Sequence, residues 1–339
     1  MSQAKAMYKD GAEKPKKAPP VPRPSASVLL LSPDNQVLLL RRVRTSSSFP
    51  SAHVFPGGNV SAAHDGLVPD PLHPDRHRDG PAYRLAAIRE TFEESGILLA
   101  RDPTGRLIEV PEAEREQARK DIYAGKVKFV DWVRAKGGEP DTEGLVPYTR
   151  WVTPTGVPKR FTTQMYLYFL PVATAGAGGI GPLATEKDVV IPTPTHDGGV
   201  EHTAARFLAA DKWLAMAASG EIIVFPPQVF LLFHVARFLA GRGAEEGRRR
   251  LVEWVVREGD LGVAWKDKVI SPDRMGGVVA KDGRAVLSLA TPGLELKGSE
   301  RKGTAEWVVF VGFSKEGPRK VEVKTKEEAL KEIKGELKL

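Results

Sequence analysis

The stretch PAYRLAAIRETFEES, Pro81 to Ser95 and closed by Gly96, decides how the rest of the chain is read. Proline suits the first helical turn, where its missing N–H has no partner to lose, and glycine suits the position just past a helix end. Leu85, Ile88 and Phe92 recur at helical spacing and give the segment a core-facing stripe. Glu90, Glu93 and Glu94 lie three and four residues apart, so they crowd over one turn of another face. Like charges so placed repel by roughly 0.2–0.5 kcal/mol per pair, and the helix dipole disfavours anions in a last turn. Folding alone would favour Lys or Arg there. A positive guest is therefore expected among these carboxylates, a hard divalent cation such as Mg2+ or Mn2+. The plainer alternative is a solvated acidic turn.

The neighbouring residues weigh on that choice. Arg89-Glu90-Thr91-Phe92-Glu93-Glu94-Ser95-Gly96-Ile97 fits the second half of the Nudix box position for position, and Phe55-Pro56-Gly57-Gly58 resembles the loop that opens it. By this resemblance the chain is identified as a member of the Nudix hydrolase superfamily. The expected architecture is an α/β/α sandwich, a mixed sheet between helices. Thirty residues separate Gly58 from Arg89, seventeen more than the usual box holds, and the box's first glutamate is absent: counting six from Gly58 reaches His64, and counting eight back from Arg89 reaches Pro81. An insertion inside the box, and the phrase from Ala86 to Gly96, resemble the mammalian peroxisomal acyl-coenzyme A diphosphatase branch.

Composition sets the outer limits. The 339 residues are 41% hydrophobic and 27% charged, ordinary for a folded globular chain with a full core. Without cysteine, disulfide scaffolds, zinc–thiolate sites and thiol catalysis are excluded. No apolar run approaches the roughly eighteen residues needed to span a bilayer, so no membrane partner is expected. The net charge of +7 suits a polyanionic substrate, though an ordinary basic protein has it too. No RNA-recognition, zinc-finger or helix-turn-helix signature turns that charge towards nucleic acid.

Along the chain, residues 1–24 read as a disordered tail, 25–242 as the Nudix domain and 243–339 as a β-rich α/β extension. Ser27 to Ser32 and Val37 to Val43 read as a hairpin across Pro33 to Gln36. Its second strand delivers Arg41, Arg42 and Arg44 ahead of the glycine loop, where guanidinium groups can grip phosphate oxygens or simply guard a strand edge. This stretch loosely resembles the arginine motif of coenzyme A-directed Nudix enzymes, with Ser46 to Ser48 where further specificity residues are expected. Phe55, Gly57 and Gly58 are expected beside the substrate, since glycine lets backbone approach a ligand. The insertion, 61–80, carries His64, Asp65, His73, Asp75, His77 and Asp79 among prolines and reads as a polar surface excursion. Ile97 to Ala100 reads as a strand, and 105–148 as a helical insertion with helices over Pro111 to Tyr123 and Lys128 to Lys136. Trp151 to Pro154 and the strand from Thr162 to Leu170 again resemble the diphosphatase branch, and Arg160 is the candidate phosphate ligand there. Val189 to Pro192 is a further short strand, and helices are read over Asp211 to Ser219, Pro227 to Leu239 and Ala244 to Glu258. Asp282-Gly283 marks a hairpin, and Thr325 with Glu328 a capping box for a last helix.

The chemistry follows from charge. A diphosphate repels an anionic nucleophile until cations neutralise it, so Mg2+ or Mn2+ held by Glu90, Glu93 and Glu94 would bind the phosphates and lower the pKa of a bound water. Glu90 or a glutamate outside the box, Glu201 with Glu186 behind it, would take the proton. Arg89 cannot be a base and is expected to orient a neighbouring carboxylate. By resemblance the substrate is coenzyme A or acyl-coenzyme A, cut to adenosine 3′,5′-bisphosphate and (acyl-)4′-phosphopantetheine. A nucleotide sugar or dinucleotide is the alternative substrate; a ligand-binding or RNA-binding protein without turnover is the alternative class. The final Leu337-Lys338-Leu339 shares two residues with a peroxisomal Ser-Lys-Leu address, which leaves cytoplasm or peroxisome as the expected setting.

Overall fold

Val28 to Leu31 and Val37 to Leu40 are unbroken apolar runs, the pattern of strands covered on both faces. They form β1 (Arg23–Leu31) and β2 (Val37–Arg42), and all eight side chains are 1% exposed or less. The computed structural model describes residues 18–43, 51–171, 195, 202–241 and 243–334. In chain order β2 is followed by β3 (His53–Val54), β4 (Gly57–Asn59), α1 (Pro81–Ser95), β5 (Ala100–Arg101), α2 (Glu112–Tyr123) and α3 (Phe129–Ala135). Next come β6 (Glu139–Pro140), β7 (Val146–Val152), β8 (Phe161–Phe169), β9 (His202–Leu208), α4 (Ala210–Ser219), α5 (Pro226–Leu239) and α6 (Ala244–Val256). The C-terminal elements are β10 (Val269–Ile270), β11 (Asp273–Ala280), β12 (Ala285–Leu289), β13 (Thr304–Ser314), β14 (Gly317–Thr325), α7 (Lys326–Glu332) and β15 (Ile333–Lys334).

Eight strands make the main sheet in the order β10-β7-β8-β1-β2-β3, with β4 added on β1 and β9 on β2. It is mixed. β1 runs parallel to β8 over nine register pairs, and the other pairs are antiparallel except β7 with β10. The expected hairpin exists, but β1 and β2 share only the register pair Leu31–Val37, while β2 pairs with β9 along its length and with β3 at its far end. On one face, Ala26, Val28, Leu30, Tyr166 and Tyr168 meet Tyr83, Ala86, Ile88 and Phe92 of α1. Phe92 in turn stacks on Trp132 of α3, centroids 4.9 Å apart. On the other, Leu29, Leu31, Leu39 and Leu167 meet Trp213, Phe230, Leu231 and Leu251 of α4, α5 and α6. This is the α/β/α sandwich the box implied.

The C-terminal strands form a second sheet, β14-β13-β12-β11-β15. Its Leu287, Trp307 and Val309 belong to the same apolar cluster as α5, and β10 joins the edge of the main sheet beside β7. From α6, Arg248 donates to the Asn35 side chain at 2.7 Å and to the carbonyls of Leu170 and Ser32 at 2.6 Å, pinning the β1–β2 turn. The Asp282-Gly283 turn and the Thr325–Glu328 capping box are both present. No helix among the described residues is long and apolar enough to cross a membrane.

Three readings need correction. Ile97 to Leu99 are buried but unladdered, and only Ala100–Arg101 pairs, with β6. Val146–Val152, where the helical segment was expected to close, is a main-sheet strand; Pro147 and Arg150 interrupt the alternation that would have announced it. The insertion is no simple surface excursion, because Asp65, Arg76 and His77 are buried at 6%, 9% and 3% exposure. Most of the tail, Val189 to Pro192 and the final three residues lie outside the described residues.

His234 on α5 is fully enclosed, stacked on Trp254 at 4.9 Å and edge-on to Trp307, with Arg237 Nη1 3.2 Å from its Nδ1. Burial, then the Arg237 charge, holds its pKa well below the usual 6.5. The unfolded chain takes the proton that this site refuses, so its contribution is complete above the unfolded pKa and is lost as pH falls below it. Burial likewise lowers His53 and His77 to about 4. Melting temperatures recorded from about pH 7.5 down to about pH 5 are expected to fall, and the slope is expected to be shallower for His234→Phe.

Candidate active site

The C-terminal half of α1 approaches β4 closely enough that side chains there would be excluded. A Cβ on Gly58 would lie 2.4 Å from Cδ of Glu90. One on Gly57, whose φ is 153°, would lie 2.3 Å from the Ala26 carbonyl oxygen. Gly58 thus lets a carboxylate rest directly on backbone, and Gly57 lets β4 lie close against β1. The Gly57 N–H donates to Glu94 Oε2 at 2.8 Å.

Arg89 stands at the centre. Its Nε and Nη2 donate to the two oxygens of Asp65 at 2.8 and 2.7 Å, the fork-to-fork geometry of a strong charge-assisted pair. Nη1 reaches Glu93 Oε1 at 2.8 Å and Glu90 Oε1 at 3.0 Å, and Nη2 also meets the Asn59 carbonyl at 3.0 Å. The Asp65 side chain has no exposure at all, and that of Arg89 only 5%. Three carboxylates (Asp65, Glu90, Glu93) therefore bind one guanidinium, and with Glu94 on the Gly57 N–H the cluster carries an excess of three negative charges when all are ionised. Burial pushes the Glu90 carboxyl up to about 7; Arg89 opposes this, and Glu93 and Asp65 add to it.

Two further groups complete the surroundings. His202, buried at the start of β9, brings Nε2 to 3.7 Å from Glu94 Oε1. Arg119 of α2 donates to the Glu93 carbonyl at 2.9 Å and to Glu116 and Thr195, supplying from a neighbouring helix the cation missing from the last turn of α1.

Of the residues singled out in the sequence, Arg89, Glu90, Glu93, Glu94, Gly57 and Gly58 come together. Among the described residues no three acidic or histidine side chains already converge on one point. Arg89 draws Glu90 and Glu93 towards itself, while Gly57 holds Glu94. The donor set still suits a hard dication: oxygen ligands only, on adjacent turns, with surplus negative charge. Arg42 pairs in register with His202 and so borders the cluster through the backbone. Phe55 does not reach it; its ring is 3% exposed within the apolar cluster on the opposite face of the sheet. Nor does Arg160 reach it. Its guanidinium is 1% exposed, gripped by both oxygens of Glu295 and donating to the Thr153 and Pro20 carbonyls. Arg44, Glu186 and Glu201 lie outside the described residues. Asp65 is the residue that counting missed. It lies seven positions after Gly58, one beyond the expected glutamate, and is one methylene shorter.

Fold and box together define a Nudix-type domain within the chain. Residues 74–235 match the family model described as the NUDT19 Nudix domain. A chicken (Gallus gallus) protein named acyl-coenzyme A diphosphatase NUDT19 is 28% identical over 253 residues, 60% of this chain and 62% of that protein. A Caenorhabditis elegans protein named putative nudix hydrolase 7 is 30% identical over 146 residues, 43% of each chain. The chain thus spans less than two thirds of the length of either. The crystal structure of a Nudix hydrolase from Alicyclobacillus acidocaldarius, 26% identical, covers 65% of this chain and 92% of its own, with a TM-score of 0.48.

Removing one partner of a buried ion pair strands the other. Asp65→Ala is therefore expected to lower the unfolding free energy by roughly 3–5 kcal/mol in urea titrations. Asp75→Ala, on the exposed part of the same insertion, should change it by no more than about 0.5 kcal/mol.

Proposed function

We propose that the chain is a metal-dependent hydrolase that cuts the diphosphate linkage of coenzyme A or acyl-coenzyme A. The observation that carries this reading is the excess of carboxylates over Arg89 on a Nudix box. The substrate class is supported by the names of the relatives and by the interrupted box the chain resembles. The products would be adenosine 3′,5′-bisphosphate and (acyl-)4′-phosphopantetheine.

Glu90, Glu93 and Glu94 would hold Mg2+ or Mn2+. When bound, the metal supplies neutralisation of the diphosphate charge and a more acidic water. Asp65 holds Arg89, and Arg89 holds one oxygen of Glu90 and one of Glu93 in place. The Gly57 N–H plays that part for Glu94. Glu90, resting on Gly58, or Glu201 takes the proton from the attacking water. Burial of the cluster beneath the insertion limits competing water.

With Mg2+ or Mn2+ present at neutral pH the melting temperature is expected to rise, and Glu94→Gln is expected to lose most of that rise. In an assay of coenzyme A, acyl-coenzyme A, nucleotide sugars and dinucleotides read by mass spectrometry, the coenzyme A species are expected to be cut. Glu90→Gln should lower kcat on the order of a hundredfold or more. Cleavage of only the other compounds would retire the coenzyme A assignment.

A further inference from the structure

On the same face of the main sheet as the carboxylates, a cavity of about 350 Å³ opens at the β7–β10 edge, and its charge has the opposite sign. Six Lys and Arg side chains line it against two aspartates, Asp79 and Asp267. Two of the six are cancelled. Arg84 is held by Asp79 at 2.6 Å, and Lys268 by Asp260 at 2.8 Å. The other four are Arg78, Arg150, Lys266 and Arg301. Arg78 has an exposed partner in Asp75, and Arg301 lies 3.8 Å from an Asp267 oxygen.

Arg150 is the telling residue. It is 2% exposed, yet among the described residues it makes no ion pair with a carboxylate. It donates to Thr162 Oγ1 at 3.2 Å and to the Arg78 carbonyl at 2.7 Å, and its guanidinium lies 4.3 Å from the centre of the Tyr83 ring. Its Nε has no partner. A buried guanidinium without an anion is costly, and arginine is the side chain best shaped to hold phosphate oxygens in pairs. Burial lowers the pKa of both Arg150 and Arg301, and Arg301 is lowered further by the charges of Arg78 and Arg150.

We propose that this cavity is a second, metal-independent anion site that takes a phosphomonoester group. Its volume, at the low end for small-molecule sites, suits a phosphate with part of a sugar. Its place is fixed by register: Gly58, Ala26, Gln164 and Arg150 are successive neighbours across four strands. Three strand steps of about 4.8 Å put Arg150 about 14 Å from the glycine beneath Glu90. The insertion joins the two sites, with Asp65 on Arg89 at one end and His77, Arg78 and Asp79 on the cavity at the other. Lys266 and Arg301 come from the C-terminal extension, giving that region a part in ligand recognition. The anion is either the monoester phosphate of the substrate, an assignment that rests on the coenzyme A reading, or a free phosphate, which does not.

The test is calorimetry in EDTA, where the carboxylates bind no metal, with inorganic phosphate and adenosine 3′,5′-bisphosphate as probes. Wild type is compared with the Lys266→Gln/Arg301→Gln double variant and with Arg78→Gln. Submillimolar binding that weakens about tenfold or more in the double variant, with an unchanged melting temperature, is the expected result. The source is read from KM with metal present. A KM raised for coenzyme A and not for dephospho-coenzyme A assigns the site to the substrate. Weakened phosphate binding with both KM values unchanged assigns it to a free anion. No heat at millimolar probe, or equal affinities in wild type and both variants, overturns the site. Absence of any coenzyme A cleavage retires the substrate assignment alone, since the calorimetry still decides whether the anion binds.

Discussion

The bidentate pair between Arg89 and Asp65 is the constraint on which the acidic cluster depends. A guanidinium buried to this degree needs an anion, and Asp65 provides both oxygens from a loop that would otherwise have no reason to enter the core. With that end of Arg89 satisfied, its remaining N–H groups are free to set the rotamers of Glu90 and Glu93. The cluster is therefore not a patch of unopposed repulsion. It is a small excess of negative charge held in fixed positions, which is what recognition of a dication requires.

Backbone geometry does the complementary work. A side chain at Gly58 would displace the Glu90 carboxylate and one at Gly57 would strike β1, so both glycines are required by close approach. Arg119 answers the α1 dipole from α2, which gives the helical segment after the box a role in stabilising the site in addition to the packing of Phe129 and Trp132 on Phe92. Packing of an insertion and support of a functional helix are here one contact surface.

Much of this was legible in the residues. The proline start, the glycine stop and the three glutamates place α1 correctly to the residue, and two continuous apolar runs place the central strands. What stayed hidden depends on long-range contacts. Asp65 looks like any polar loop residue until Arg89 is buried twenty-four positions away. Arg160 reads as a phosphate ligand because its sequence neighbours carry no acid, but Glu295 meets it from the extension 135 positions on. Phe55 sits beside the loop glycines in sequence, yet in the connection between β3 and β4 its ring packs into the cluster on the opposite face. Arg150 was concealed because a cation in a strand reads as an interruption, and only the fold shows it beneath Tyr83.

The two charge clusters bear on each other. A negative and a positive site about three strands apart on one sheet face give a field with direction, and an extended substrate with several phosphates would be drawn in a single orientation. The acidic end would repel an anion without a metal, whereas the proposed basic site would accept one. Anion binding at the cavity would thus come first or independently, and metal would decide only whether the diphosphate is engaged at Glu90. That order would give the C-terminal extension a part beyond packing, because Lys266 and Arg301 would select the ligand that α1 then acts upon.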